Sequence, residues 1–125
     1  VKLEEYFKID GTKIMNIEDY FDIHGRYQLK NGVYNVFGSV YLIKKVEKLP
    51  CKFGKVSNSF YCLNNNLETL EGFPEFVGNF FDCRYNKLTS LKGCPTYIGN
   101  DFLCDENLQN NKEYKQYLIL KKLRT

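Results

Sequence analysis

The chain has 125 residues, 43% hydrophobic, 16% aromatic and 26% charged, with a formal net charge of +3; this specifies one globular domain, residues 1–125, and excludes a disordered chain. No apolar run is long enough to cross a bilayer, and the charged start Val1-Lys2-Leu3-Glu4-Glu5 lacks a signal-peptide core. Five cysteines without CxxC spacing fit neither a disulfide framework nor a zinc ribbon, and the single histidine, His24, limits nucleophile–base chemistry. The expectation is a cytoplasmic, reduced protein with no membrane contact that is not an enzyme and holds no metal or cofactor.

In chain order, Leu3, Tyr6 and Phe7 have helical spacing, and so do Ile14, Ile17 and Phe21. Tyr27-Gln28-Leu29, then Lys30-Asn31-Gly32, then Val33-Tyr34-Asn35-Val36 predicts a β-hairpin with an Asn-Gly turn. Residues 1–35 are therefore read as an N-terminal cap made of a helix and a hairpin.

Residues 36–110 carry an internal repeat, and its step can be read from several columns at once. Phe60, Phe81 and Phe102 share the step, as do Cys62, Cys83 and Cys104, and Val56, Val77 and Ile98. Asn65, Asn86 and Asn107 follow it, Leu67 pairs with Leu88, Leu70 with Leu91, and Gly72-Phe73-Pro74 recurs as Gly93-Cys94-Pro95. Val46 and Leu49 fall under Leu67 and Leu70, so a degraded unit starts near Val36, with Val40 and Leu42 inward. Alternation in Phe81-Asp82-Cys83 predicts one short strand per unit with one buried face. A single unit cannot bury its apolar edge, whereas stacked units share a core beneath a parallel sheet. The asparagines are expected to stack as a ladder that binds turn backbone. Residues 111–125 close the chain as a capping helix, with Tyr114, Tyr117, Leu118 and Lys121 at helical spacing. Both caps have one task, to cover the core and strand edge that an open solenoid exposes.

Phe81-Asp82-Cys83-Arg84-Tyr85-Asn86-Lys87-Leu88-Thr89-Ser90-Leu91 resembles the leucine-rich repeat consensus, with Phe and Cys in two leucine positions. More narrowly, Val77 to Cys83, Asn86 to Pro95 and the entry Leu49 to Val56 resemble short repeat proteins of bacteriophage genomes, over about residues 27–108. The resemblance implies an α/β leucine-rich repeat solenoid with a short parallel β-sheet. By analogy with small phage proteins, it implies a partner that is a host protein, such as a CRISPR-Cas or other defence effector, a nucleoprotein among them.

The site candidates follow from the repeat. A thiol column at Cys62, Cys83 and Cys104 runs in line along strands about 4.8 Å apart, which does not surround a zinc ion. The column is read as core. His24 is read as a surface or capping residue. Residues that alternate with Phe81 and Cys83 point outward, giving the columns Ser59/Phe80/Asp101, Tyr61/Asp82/Leu103 and Leu63/Arg84/Asp105, with Asn64, Tyr85 and Glu106 beyond. Aromatic and apolar groups rimmed by charge suit a protein-binding face, with Tyr61, Leu63, Phe80, Asp82, Arg84, Tyr85, Leu103 and Asp105 as its residues. The rival surface is nucleic-acid-binding: Lys44, Lys45, Lys48, Lys52 and Lys55, with Lys121, Lys122 and Arg124 at the C-terminus.

Overall fold

The computed structural model describes residues 15–124, and the helical spacing read at Leu3, Tyr6, Phe7 and Ile14 lies outside them. Within the described residues the chain opens with a single 3-10 turn, Ile17–Asp19, where the Glu18 amide donates to Asn16 Oδ1 at 3.0 Å. The helical spacing of Ile17 and Phe21 does not produce a helix. Ile17 is buried in the turn, and Phe21 opens a strand because its backbone pairs with Leu42. Strands β1 (Phe21–Lys30) and β2 (Val33–Leu42) form the expected hairpin, longer than the sequence alone suggests. Asn31 and Gly32 both have positive φ. They supply the left-handed pair that the tightest hairpin turn requires.

The free edge of β2 starts a solenoid. Strand β3 (Lys52–Val56) pairs parallel with the first half of β2, and β4 (Phe60–Tyr61) with the second half. Strands β5 (Phe76–Val77) and β6 (Phe81–Asp82) stack on these, followed by β7 (Tyr97–Ile98) and β8 (Phe102–Leu103). The product is a parallel-sheet β-solenoid of about three coils.

One expectation is corrected: each coil contributes two short strands rather than one. They are separated by a bend at 57–59, 78–80 and 99–101, and the ladder continues through it. The Asn79 amide donates to Asn58 O, and Asn100 to Asn79 O, each at 2.9 Å. The backbones approach so closely there that a Cβ on Gly99 would lie 2.0 Å from Gly78 O. The hairpin backbones also approach closely at this level, where a Cβ on Gly38 would lie 1.7 Å from His24 O and Gly38 O accepts the Asn58 amide. β2 is thus the template for each later coil.

The register puts Val36, Val56, Val77 and Ile98 in one buried column, and Val40, Phe60, Phe81 and Phe102 in another. Val40 and Leu42 are buried as read from the sequence, and so are Cys62, Cys83 and Cys104. Phenylalanine rings run along the solenoid axis: Phe60 to Phe81 at 6.2 Å and Phe81 to Phe102 at 5.4 Å between centroids. Phe21 packs against Phe53 at 5.1 Å and joins this spine at the hairpin end.

The asparagine ladder has two rungs, not three. Asn86 Oδ1 accepts the Leu67 amide at 2.9 Å, and its Nδ2 donates to Cys62 O at 2.9 Å. Asn65 Oδ1 accepts the Val46 amide at 2.8 Å, and its Nδ2 donates to Lys44 O at 3.1 Å. Asn107 is exposed in a 3-10 turn, Glu106–Leu108, which takes it out of the column, and Asp105 instead binds the preceding coil through the Tyr85 and Asn86 amides.

Helix α1 (Lys112–Leu123) lies against the last coil. Tyr117 is its buried anchor, and its hydroxyl accepts the Phe102 amide at 3.0 Å while donating to Asn100 O at 2.6 Å. One hydroxyl thereby satisfies a donor and an acceptor that a further strand would otherwise satisfy. Tyr114 and Tyr117 close the aromatic spine on Phe102 at 5.5 and 5.4 Å. Leu118, placed on the buried stripe by its spacing, is instead exposed, because the contact side of the helix is centred on Tyr117.

Candidate protein-binding surface

The outward side of the C-terminal half-strands carries an aromatic row. Register aligns Asp22, Tyr41, Tyr61, Asp82 and Leu103 across five strands. Tyr41 and Tyr61 stack at 4.7 Å with 17° between planes, and the His24 ring lies 5.0 Å from Tyr41. His24 Nε2 is 2.9 Å from Asp22 Oδ2, and both side chains are exposed. Stacking holds the tyrosine rings in place before any partner arrives, which lowers the entropy lost on binding.

Asp82 differs from the sequence expectation. It is on the outward row but only 3% exposed, because Tyr61 and Leu103 flank it and Arg84 folds over it. Arg84 Nε and Nη2 grip its two oxygens at 3.0 and 2.8 Å, and the Arg84 amide adds a third bond at 3.2 Å. These hydrogen bonds, and then the carboxylate charge, push the Arg84 pKa further up. Arg84 is therefore a structural support for a buried carboxylate as well as a surface cation. Removing it would leave that charge unpaired.

The other candidates fall into place around this row. Tyr85 is 64% exposed, has φ 59°, and lies 5.8 Å from the Arg84 guanidinium. Its left-handed backbone matches Asn64 one coil earlier, at φ 54°. Asp105 is committed to the coil end, where its oxygens accept the Tyr85 amide at 2.8 Å and the Asn86 amide at 3.4 Å. Leu63 is exposed, while Leu103 and Phe80 are half-buried. Ser59, read as outward, is buried at the bend, where its hydroxyl accepts the Phe80 amide at 3.1 Å. Asp101 is ion-paired to Lys121 at 2.7 Å, so the C-terminal helix covers that end of its column.

The basic residues do not converge in the same way. Lys44 sits 4.5 Å over the Tyr20 ring, and Lys45 donates to Asn64 O. Lys48, Lys52 and Lys55 are exposed, with Lys52 and Lys55 on β3. Lys121 is held by Asp101, Lys122 is exposed on α1, and Arg124 donates to Ile98 O at 2.9 Å while lying 4.9 Å over Tyr97.

The sequence reading missed Tyr41 and His24. The signal for Tyr41 was present, since it precedes Tyr61 by the same step that places Val40 under Phe60. His24 required the hairpin register. Also missed was a second stack, Phe76 on Tyr97 at 4.7 Å and 4°, on the outward side of β5 and β7.

Cys51 and Cys94 are half-buried free thiols, and burial pushes both up to about 12. Among the described residues no group of three or more His, Cys, Asp or Glu side chains is arranged to hold a metal ion. No described helix is long and apolar enough to cross a membrane.

Comparison with known proteins finds no match: no family model, no curated protein and no solved structure aligns with the chain.

Proposed function

We propose that this chain is a non-catalytic protein-interaction module that binds a partner protein through the aromatic row on its solenoid. The observation that carries the reading is the pre-stacked Tyr41–Tyr61 pair, with Tyr41 exposed and Tyr61 half-buried. His24 continues it on one side, and Arg84, Tyr85 and Leu63 flank it on the other. Large rigid rings beside oriented charge are the composition of binding hot spots. In this reading Tyr41 joins Tyr61, Leu63, Phe80, Arg84, Tyr85 and Leu103 as contact residues, while Asp82 and Asp105 hold them in position.

We place the coils with the short leucine-rich repeat proteins and the hairpin as an N-terminal cap. The buried Leu67-x-x-Leu70 and Leu88-x-x-Leu91 pairs and the backbone-binding Asn65 and Asn86 support this. The same resemblance is the support for a phage origin and for a host defence effector as partner. The five free thiols support a reducing cytoplasm.

The test is affinity for a partner captured from host lysate and then purified. Tyr41→Ala and Tyr61→Ala should each weaken binding by about 2 kcal/mol. The panel also includes Lys44→Ala, Lys45→Ala and Lys122→Ala at two salt concentrations. Intact binding in the tyrosine variants, with loss in the lysine variants and steep salt dependence, would replace the protein-binding reading by nucleic-acid binding.

A further inference from the structure

Helix α1 and the final coil enclose a groove on another part of the molecule from the aromatic row. It has a volume of about 500 Å³ and is lined chiefly by Cys94, Pro95, Tyr97, Tyr117, Leu120 and Leu123. The helix beside it keeps apolar side chains in water: Leu123 is 77% exposed, Ile119 60%, and Leu118 and Leu120 43% each. So much exposed aliphatic surface on one short helix is unusual for an isolated domain and marks an association surface.

The charges at the groove's ends say what fits. Glu113 lines one end and Arg124 the other. Their separation of eleven residues on a helix is about 16 Å. Glu113 makes no ion pair among the described residues. Arg124 uses one N–H on Ile98 O and lies over Tyr97, and a guanidinium has further donors. An occupant helix running antiparallel to α1 therefore needs an acid near its start, facing Arg124, and a cation near its end, facing Glu113. It also needs aliphatic residues between them. α1 has that pattern itself: Glu113 in its first turn, Lys121 and Lys122 in its last, and Leu120 and Leu123 on the groove side.

We propose that the occupant is a second copy of this chain, with the two α1 helices antiparallel across a two-fold axis. Leu120 and Leu123 of each copy enter the other's groove. Glu113 of each pairs with Arg124 of the other, so the interface is isologous and closes at two. Lys115 and Lys122 lie on the far side of the helix and do not oppose each other across the contact.

Sedimentation of the full chain from about 5 to about 500 µM tests this, with circular dichroism melts alongside; the range spans the weak-to-moderate affinities of small interfaces. The expected result is a monomer–dimer equilibrium. Leu123→Asp should weaken dimerisation about a hundredfold or more, since each dimer loses two buried leucines. Its melting transition should stay in place, because Leu123 is exposed in the monomer. Glu113→Arg and Arg124→Glu should each weaken dimerisation about tenfold by opposing like charges. An equimolar mixture of these two variants should regain dimers, because every cross-pair is then opposite in charge. A wild-type chain that stays monomeric throughout overturns the proposal and leaves the groove to a partner of different sequence. A dimer indifferent to Leu123→Asp, or a mixture that stays monomeric, overturns it as well.

Discussion

Tyr117→Phe isolates how the solenoid's last edge is closed. The substitution removes one oxygen and leaves the ring, so its packing on Phe102 at 5.4 Å is retained. What disappears are the bonds to the Phe102 amide at 3.0 Å and Asn100 O at 2.6 Å. The bond to the Phe102 amide is buried, Phe102 itself being 3% exposed, and no other partner for that N–H is in place. An unsatisfied buried donor costs about 1–3 kcal/mol. The bond to Asn100 O is nearer solvent, where water can replace it, and adds about 0.5 kcal/mol or less. The expected loss is therefore about 2 kcal/mol. Tyr117→Ala removes the ring as well and should cost about 3–5 kcal/mol. The assay is urea unfolding of both variants with amide exchange at Phe102. Exchange at Phe102 should accelerate in Tyr117→Phe while the Phe60 amide, two coils away and bonded to Phe80 O, stays protected. A Tyr117→Phe protein within about 0.5 kcal/mol of wild type, the size of an ordinary surface change, with unchanged exchange at Phe102, would refute the view that this hydroxyl substitutes for a strand.

Phe81→Ala should cost about 3–5 kcal/mol, because its fully buried ring meets Phe60, Phe73 and Phe102. A loss under about 1 kcal/mol by urea titration, well short of a cavity in a packed core, would contradict the shared spine. Asn86→Ala orphans the Leu67 amide and Cys62 O. The expected cost is about 1–3 kcal/mol, that of an unsatisfied buried polar group, and Asn107→Ala should be nearly silent in the same titration. Tyr85→Asn should stabilise the fold by about 1 kcal/mol, since asparagine tolerates the left-handed backbone as Asn64 already does. A lowered urea midpoint would count against backbone strain there. Burial raises the folded-state pKa of Cys104 to about 11, of Cys51 and Cys94 to about 12, and of Cys62 and Cys83 upward as well. The unfolded thiols ionise from the ordinary value of 9.0 while the folded ones stay protonated. Stability should therefore be full below pH 9 and fall as pH rises from there towards 11. A urea midpoint that does not move between pH 9 and pH 11 would be inconsistent with buried thiols.

Arg84 shows how a side chain's neighbours change the experiment. From sequence it is an outward-facing cation of the binding face. In the fold it grips the buried Asp82, so Arg84→Ala should unfold the coil more readily as well as alter the surface. The tyrosines are the cleaner probes of binding.

The repeat was legible because a solenoid makes each coil satisfy the same constraint at the same place. Phe60, Phe81 and Phe102 must face one core, and Asn65 and Asn86 must bind the same stretch of turn backbone, so spacing alone reveals them. The Asn31-Gly32 turn was legible because its chemistry is local. The bend that splits each coil was not, because it depends on how closely Gly78 and Gly99 approach the carbonyls of the coil beneath. The fate of Asn107 was not legible either, since its residue type matches its predecessors and only the 3-10 turn at Glu106–Leu108 takes it out of the ladder. Tyr117's role required knowing which amide and carbonyl lay across from it. Alternation determined that Asp82 and Tyr61 point outward. Only the packed structure decided that Arg84 would cover Asp82 while Tyr61 stacked on Tyr41, because those contacts depend on how neighbouring coils seat on one another, which the chain order does not contain.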